Sequence, residues 1–400
     1  MLKIVISSKT KNITFVYMKK ILALLWAFVF AFALSAPAAF AVSPAIQQDS
    51  LSADGPYILY GSDFVKVIEV DVQGNISIKQ RTQLPEGFTF QVTDHRGRYP
   101  FEVTLRPFAR QEWRQPDIPD RTFVMSDPHG RLDCVIDLLH GNQVIDDDLR
   151  WAFGDGRLVV IGDIADRGKD VTAIYWLFYK LQQEAADAGG SVVMILGNHE
   201  TMEAAGDMRY AEPKYKILPG ILGMEYKDLI GPDSELGRWI ASWNAISILG
   251  RDIYVHAGLG KEFYDWNLPV PEVNEKISNA LFTPNRERRA QNDTLDFLYG
   301  TYGPIWFRGL VLKGANRHPV SSDTVDLLRT RYGVDHIIVG HTIFRSVKSF
   351  MDGRVIDVNV DNAVNRRKGR SRALLIENGV YYTVTDNGKR KRLPVPPTLY

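Results

Sequence analysis

Six polar residues in this sequence follow short apolar runs and together could bind metal ions. They are two aspartates, three histidines and one asparagine: Asp127, His129, Asp163, Asn198, His256 and His341. Carboxylate, imidazole and amide groups suit hard or borderline divalent cations. One such cation rarely needs six ligands of this kind. Two cations that share a bridging carboxylate do need that many. The set predicts a two-metal centre, with metals about 3.5–4 Å apart that hold a phosphoryl group and bring the pKa of a bridging water towards neutrality.

Each of these residues on its own has an ordinary structural explanation. An aspartate or asparagine after a strand is commonly a turn former or a helix N-cap, and a histidine at a strand end is commonly a hydrogen-bonded structural residue. The joint occurrence of all six is what favours the metal site. The sole cysteine, Cys134, lies on the apolar face of a predicted helix and is expected in the core. Metal chemistry is therefore left to oxygen and nitrogen ligands.

Five apolar segments are predicted strands, and a polar turn that carries the candidate ligands follows each of them. They span residues 122–125, 158–161, 192–196, 253–255 and 337–339. A helical spacing of apolar residues follows the first of them, from Leu132 to Leu139. Because ligands in α/β sheets gather at the carboxyl ends of strands, the pattern predicts one α/β catalytic domain over residues 122–385. No internal repeat is visible.

Segments on either side of this domain have a different character. Residues 50–110 contain period-2 apolar runs separated by turn signals, which predict a small β-rich unit. Residues 111–121 are rich in proline and charge and are predicted to be a linker, and residues 386–400 a C-terminal tail.

The first 41 residues are predicted to be an upstream extension and a secretory signal peptide, with Met18 as the start. Lys19 and Lys20 precede fourteen residues without a polar side chain, and Ala39-Phe40-Ala41 offers a small-x-small cleavage pattern. The apolar run is short for a membrane span. We therefore expect cleavage after Ala41 and a secreted or periplasmic protein without a stable membrane span; an uncleaved anchor is the alternative.

Composition places the chain among ordinary globular proteins and argues against nucleic acid as a partner. Of its 400 residues, 45% are hydrophobic and 24% charged, which excludes disorder along the whole length. Removal of residues 1–41 takes away five lysines and no acid, which leaves 43 basic and 47 acidic residues. A nucleic-acid-binding protein usually shows a basic excess instead. The basic cluster within residues 366–372 is either a solvated loop or an attractant for an anionic substrate.

Several motifs resemble those of the phosphoprotein phosphatases in the calcineurin-like metallophosphoesterase superfamily. The motifs are Asp127-Pro128-His129-Gly130, Gly162-Asp163-Ile164-Ala165-Asp166-Arg167-Gly168, Gly197-Asn198-His199-Glu200, His256-Ala257-Gly258 and Gly340-His341. Ser126 and Ala257 depart from the family pattern, which has glycine at both positions. The run Gly303-Pro304-Ile305-Trp306-Phe307-Arg308-Gly309 resembles the bacterial-like branch that includes the Shewanella-like phosphatases. The resemblance spans residues 123–345 and implies a metallophosphoesterase-type β-sandwich flanked by helices.

This resemblance implies a role for each site residue. Asp127, His129 and Asp163 would bind one metal, and Asp163 would bridge to a second metal. The second metal would be bound by Asp163, Asn198, His256 and His341. His199 would be the general acid and Asp166 the carboxylate that orients it, while Arg167 and Arg308 would bind phosphate oxygens. The family suggests manganese or iron, with zinc as an alternative.

The resulting expectation is an enzyme that hydrolyses phosphate monoesters by direct attack of a metal-bridging hydroxide. Its substrates would be phosphoserine, phosphothreonine or phosphotyrosine in proteins, or small phosphoesters. A symmetrical diadenosine polyphosphate hydrolase and a catalytically silent metal- or phosphate-binding module are the two alternatives. The sequence contains neither a Cys-x5-Arg signature nor a P-loop, which excludes thiol-based phosphatases and nucleotide-driven motors. The oligomeric state is left open.

Overall fold

Alternation of side chains along the central strands shows how the catalytic region is layered. In the computed structural model, which describes residues 51–395, Val159 and Ile161 belong to one buried apolar cluster and Leu158 and Val160 to another. Successive residues of a strand face opposite sides of its sheet. The first cluster also contains Ile338 from a second sheet, so the two sheets pack face to face and their outer faces meet helices.

Seventeen strands and twelve α-helices are present in the described residues. The strands are β1 (Asp54–Tyr60), β2 (Val65–Val70), β3 (Ile76–Arg81), β4 (Thr89–Val92), β5 (Phe101–Thr104), β6 (Arg114–Gln115), β7 (Arg121–Met125), β8 (Arg157–Ile161), β9 (Ser191–Ile195), β10 (Ile246–Leu249), β11 (Asp252–Val255), β12 (His336–Val339), β13 (Lys348–Phe350), β14 (Val355–Asp357), β15 (Ala373–Glu377), β16 (Val380–Val384) and β17 (Arg390–Arg392). The helices are α1 (Leu132–Gly141), α2 (Val171–Asp187), α3 (Asn198–Ala204), α4 (Lys214–Leu222), α5 (Tyr226–Leu229), α6 (Glu235–Ala241), α7 (Lys261–Trp266), α8 (Val270–Asn279), α9 (Asn285–Gln291), α10 (Asp293–Leu298), α11 (Ser322–Tyr332) and α12 (Asn362–Arg367). A 3₁₀ turn spans Ala315–Arg317.

The two large sheets have six strands each and bring their parallel strands to a common edge. One sheet has the order β17-β16-β15-β7-β8-β9 and the other β13-β14-β12-β11-β10-β6. In the first sheet, β8 is parallel to its neighbours β7 and β9. In the second sheet, β12 is parallel to its neighbours β11 and β14. The carboxyl ends of neighbouring parallel strands lie at the same edge of a sheet. The predicted α/β fold is confirmed.

The N-terminal region is β-rich, as predicted, and packs on helix α2. It contains the antiparallel sheet β1-β2-β3 and the pair β4-β5. The ring of Phe90 packs edge-to-face against that of Trp176 in α2, with ring centroids 4.8 Å apart. The backbone N–H and Nδ1 of His95 lie 2.7 and 2.9 Å from Oδ1 of Asp170. Because Asp170 closely follows the motif that begins at Gly162, this unit helps to hold that loop.

The segments predicted as linker and tail each contribute a strand. Within residues 111–121, β6 pairs in parallel with β10 of one large sheet. The Gln111 amide donates to the carbonyl of Val192 at 2.6 Å and accepts from the N–H of Met194 at 3.1 Å, both in β9 of the other sheet. Within the tail, β17 pairs with β16. The linker segment therefore ties the edges of the two sheets together.

The predicted signal peptide lies outside the described residues. Between residues 51 and 395, none of the helices combines the length and the apolar character that a bilayer crossing requires.

Candidate active site and metal centre

All six predicted ligand residues come together where the carboxyl ends of the two sheets meet. They follow β7, β8 and β9 in one sheet and β11 and β12 in the other. Four of them, Asp127, His129, Asp163 and His341, have positive φ angles of 51°, 44°, 57° and 64°. This left-handed conformation costs a non-glycine residue on the order of 1 kcal/mol or more and clusters at functional sites. The backbone thus turns sharply to aim these side chains into the site.

His256 is at the centre of one group of potential ligands. Its Nε2 lies 3.0 Å from Oδ1 of Asn198, 3.2 Å from Nδ1 of His341 and 3.2 Å from Oδ2 of Asp163. All four side chains are buried. Four donor atoms from four strand ends therefore converge within the reach of a single cation.

Asp163 also belongs to a second group, centred on His129. Nε2 of His129 lies 3.9 Å from Oδ2 of Asp127 and 3.9 Å from Oδ2 of Asp163. Asp163 is 1% exposed, so little water can solvate the negative charge of its carboxylate. The shared carboxylate matches a centre of two cations that have one ligand in common.

Hydrogen bonds to carbonyl groups fix the tautomers of two histidines so that their lone pairs face this centre. Nδ1 of His256 lies 2.8 Å from the carbonyl of Ile161, and Nδ1 of His129 lies 2.8 Å from the carbonyl of Ala165. Each Nδ1 must carry the proton, which leaves a lone pair on Nε2. Lone pairs that face carboxylates repel them unless a cation lies between, so this donor set fits divalent metal ions.

The electrostatics of the cluster also indicate that positive charge is needed there. Burial and the charge of Asp163 raise the pKa of Asp127 to about 7. Burial lowers the pKa of His129 to about 3. Burial also opposes a charged His256, but the carboxylate of Asp163 outweighs it and raises the pKa to about 9. Without a cation, a second proton therefore occupies the Nε2 lone pair of His256 and supplies the positive charge that a cation would otherwise bring.

Asparagines that the motifs did not include position Asp127. Nδ2 of Asn359 donates to Oδ2 of Asp127 at 2.7 Å, and Nδ2 of Asn362 donates to its backbone carbonyl at 3.1 Å. Asn359 follows β14, which pairs in parallel with β12, so it is a sixth strand end at the same edge. Only its place after a short apolar run could have indicated it from the sequence.

Ser126, where the family pattern has glycine, contacts a ligand directly. Its hydroxyl is within hydrogen-bonding distance of the Asp127 carboxylate and lies 3.0 Å from the carbonyl of Ile161. Its φ is not among the positive values of the chain. Serine therefore fits this position without strain and adds a donor to the ligand.

Two buried glutamates of helix α3 hold the loop that follows β8. The Glu200 carboxylate accepts from the N–H groups of Asp163 at 2.9 Å and Ile164 at 2.7 Å, and from two further N–H groups. Glu203, which the sequence interpretation missed, accepts from the N–H of Asp166 at 2.9 Å. Burial and the neighbouring Asp166 raise the pKa of Glu203 well above its usual range. Burial therefore favours the protonated, uncharged form of Glu203.

His199, the predicted general acid, lies beside the donor cluster and pairs with Asp166. Its Nδ1 is 2.5 Å from Oδ2 of Asp166, and its Nε2 is 3.9 Å from Oδ2 of Asp163. Burial opposes a charged imidazole, but the two carboxylates outweigh it and raise the pKa of His199. Nη2 of Arg167 lies 3.4 Å from Nε2 of His199. The His199 imidazole and the Arg167 guanidinium therefore lie side by side.

Arg308 approaches the cluster from the loop that follows α10. Its Nη1 donates to the carbonyl of His341 and to Oγ1 of Thr342, both at 3.0 Å. Trp306 packs edge-on against His341, with ring centroids 5.9 Å apart. All ten residues singled out from the sequence therefore line one site.

The fold and this donor set define a metal-dependent phosphoester hydrolase. Residues 121–344 match the family model described as calcineurin-like phosphoesterase, and the chain belongs to that family.

Known relatives include named protein phosphatases. A stretch of 245 residues is 28% identical to an uncharacterised protein of Schizosaccharomyces pombe, covering 60% of this chain and 72% of that one. Shewanella-like protein phosphatase 2 of Arabidopsis thaliana is 25% identical over 56% of this chain and 66% of its own length. Among solved structures, the cold-active protein-tyrosine phosphatase of a psychrophilic Shewanella species is 30% identical, covers 85% of this chain and 99% of that one, and superposes with a TM-score of 0.76.

Proposed function

We propose that this enzyme removes phosphate from phosphorylated proteins, with phosphotyrosine as the preferred group. The observation that carries the proposal is the pair of guanidinium groups, Arg167 and Arg308, beside the buried donor cluster. Between residues 51 and 395, neither forms an ion pair with a carboxylate; their contacts are with His199 and with a carbonyl and a hydroxyl group. Free guanidinium groups favour a doubly charged phosphoryl group, whose oxygens they bind in pairs.

Aromatic side chains beside the site support an aryl phosphate as substrate. The ring of Tyr210 lies 5.5 Å from that of His199, and Trp306 packs against His341. Tyr210 is 50% exposed, so it is accessible to a substrate ring. Aromatic pairs of this kind contribute about 0.5–1.5 kcal/mol beyond burial. The similar Shewanella enzyme is a protein-tyrosine phosphatase by name, which agrees with this choice.

Each polar group has a distinct part in the proposed reaction. When bound by Asp127, His129, Asp163, Asn198, His256 and His341, two divalent cations would supply Lewis-acid activation of water and charge neutralisation. Arg167 and Arg308 bind and orient the phosphoryl oxygens. Asp166 holds the imidazole of His199 through Nδ1, so that the proton on Nε2 points into the site. His199 gives that proton to the departing oxygen, which would otherwise leave as an unstable anion.

A substrate panel tests the proposal. Purified enzyme is assayed with p-nitrophenyl phosphate, with phosphotyrosine and phosphoserine peptides, and with diadenosine tetraphosphate, after reconstitution with manganese, iron or zinc. We expect metal-dependent turnover with the highest kcat/KM on the phosphotyrosine peptide. Higher kcat/KM on diadenosine tetraphosphate would support the symmetrical hydrolase instead, and metal binding without any turnover would support the silent module. Manganese and iron are the expected metals, and elemental analysis alongside the assay identifies those retained.

We also propose that the protein is exported. The basic residues Lys19 and Lys20, the apolar run after them and the Ala39-Phe40-Ala41 pattern support this. The test is N-terminal sequencing of protein recovered outside the cytoplasm of expressing cells. An N-terminus at Val42 is expected, and retention of residues 1–41 on cytoplasmic protein would contradict export.

A further inference from the structure

A cavity of about 450 Å³ opens beside the metal centre and shares residues with it. Arg308 and Trp306, which contact His341 at the centre, also line this cavity, and so does Tyr210, whose ring packs against His199. A molecule whose phosphoryl group reaches Arg308 would therefore place its neighbouring groups in the cavity.

Arginines dominate the charged groups that line this cavity. They come from four separate segments of the chain: Arg209, Arg288, Arg289, Arg308 and Arg317. Asp207 is the single carboxylate among the described lining residues. It pairs with Arg209 at 2.6 Å, and Arg289 pairs with Asp296, outside the lining, at 2.6 Å. The cavity therefore carries a net positive charge.

Three of these arginines have no carboxylate partner in the part of the chain that the structure describes. Arg288 is the most unusual, because it is only 1% exposed. Its guanidinium lies 3.7 Å from the ring centroid of Tyr299 and donates to the carbonyls of Thr201 and Leu281 at 3.1 and 3.2 Å. Burial lowers its pKa to about 10, so it stays charged at neutral pH. A buried charge without a counter-ion is costly.

Arg317 extends this positive charge towards the phosphoryl-binding side. It is exposed at the end of the 3₁₀ turn Ala315–Arg317. Like Arg308 it lines the cavity, and neither of the two has a carboxylate partner between residues 51 and 395. Two neighbouring guanidiniums that repel each other are stabilised when an anion binds between them.

We propose that this cavity is a second anion subsite, which selects phosphotyrosine peptides with an acidic group next to the phosphorylated residue. Asp, Glu or a second phosphorylated residue could supply that group, since each offers the paired oxygens that guanidinium groups bind. The inference rests on the proposed phosphatase function and adds a substrate preference to it.

Matched peptides and one exposed arginine test the subsite. Phosphotyrosine peptides that differ only in Glu, Gln or phosphoserine at the adjacent positions are compared by kcat/KM in wild type, Arg317→Gln and Arg286→Gln. Arg286 is exposed on α9, the helix that also carries Arg288 and Arg289, but does not line the cavity. Arg317 is exposed as well, so neither substitution endangers folding.

We expect wild type to prefer the Glu peptide to the Gln peptide by about tenfold at low salt, and the preference to shrink as salt screens the charges. Arg317→Gln should lower this ratio by at least about threefold, while Arg286→Gln keeps it. The phosphoserine peptide shows whether carboxylate or phosphate is preferred as the second anion, and preference for either supports the subsite.

Two results would overturn the inference. One is equal kcat/KM for all the peptides in wild type; the other is an equal loss of preference in Arg286→Gln and Arg317→Gln, which would indicate a diffuse charge effect. A wild-type enzyme that turns over no phosphate monoester, p-nitrophenyl phosphate included, with any of the three metals would instead contradict the proposed function itself.

Discussion

Replacement of His199 by asparagine tests the proposed proton transfer most directly. His199 is 5% exposed, and its Nδ1 lies 2.5 Å from Asp166. Asparagine is smaller and uncharged, so it keeps a polar group in the site but cannot hold a proton for the leaving oxygen. The six predicted metal ligands stay intact in this variant, and we therefore expect metal content to be retained.

The size of the effect should depend on the leaving group. General acid catalysis contributes about 10²–10⁴ in rate, which is roughly 3–5 kcal/mol of barrier at about 1.4 kcal/mol per decade. The acid matters most when the departing oxygen is a strong base. Nitrophenolate is a weaker base than the tyrosine phenolate, whose conjugate acid has a pKa of about 10, and the serine alkoxide is a stronger base still. The loss in kcat should therefore rise from p-nitrophenyl phosphate to phosphotyrosine to phosphoserine.

Single-turnover and steady-state rates on these three substrates measure the dependence. The control is His140→Asn, the same substitution at an exposed histidine that pairs with Asp147 at 2.8 Å, away from the site. It should leave all three rates unchanged. An equal loss on every substrate in His199→Asn, with metal retained, would refute the general-acid role and indicate a positioning role instead.

Three further predictions follow from single contacts. Asp163→Asn should lower the occupancy of both metal positions, because one carboxylate belongs to both groups of ligands. If elemental analysis still finds two ions per chain, the bridging role is contradicted. Arg308→Ala should raise the inhibition constant of inorganic phosphate about tenfold, and an unaltered constant would place this arginine outside the phosphoryl site. Gly258→Ala should lower the free energy of unfolding by about 1–3 kcal/mol, while Ala257→Gly costs less than about 1 kcal/mol; equal denaturant midpoints for the two variants would be the contrary result.

Much of the site could be predicted because its ligands follow directly on buried strands. Residues 158–161 are all apolar, and Asp163 comes two residues after β8 ends at Ile161. The parallel register of β7, β8 and β9 then brings Asp127, Asp163 and Asn198 together. A short-range pattern in the sequence therefore determined a long-range arrangement, since parallel strands share an edge.

Residues that support the ligands were harder to predict because their partners are remote in sequence. Asn359 donates to Asp127 across 232 positions, and its own surroundings look like an ordinary turn. Glu203 resembles any helical glutamate until its burial beside Asp166 is known. Apart from Arg308, the arginines of the cavity lie on segments around residues 209, 288 and 317, and the sequence alone gives no reason to group them. Pairwise tertiary contacts, not local patterns, define these roles.

Backbone conformation explains which glycines of the family pattern this chain could replace. Gly162 has a φ of 67° and Gly258 a φ of 151°, which L residues rarely adopt, and a Cβ at Gly258 would lie 2.8 Å from Cδ1 of Leu310. Ala257 and Ser126 have no positive φ. Ala257 is buried, and its N–H donates to the carbonyl of Pro304 at 3.0 Å, a bond that any residue except proline can make. The two departures from the family pattern, Ser126 and Ala257, therefore lie where a side chain causes little backbone strain. Gly162 and Gly258 lie where the turn into the metal centre requires glycine.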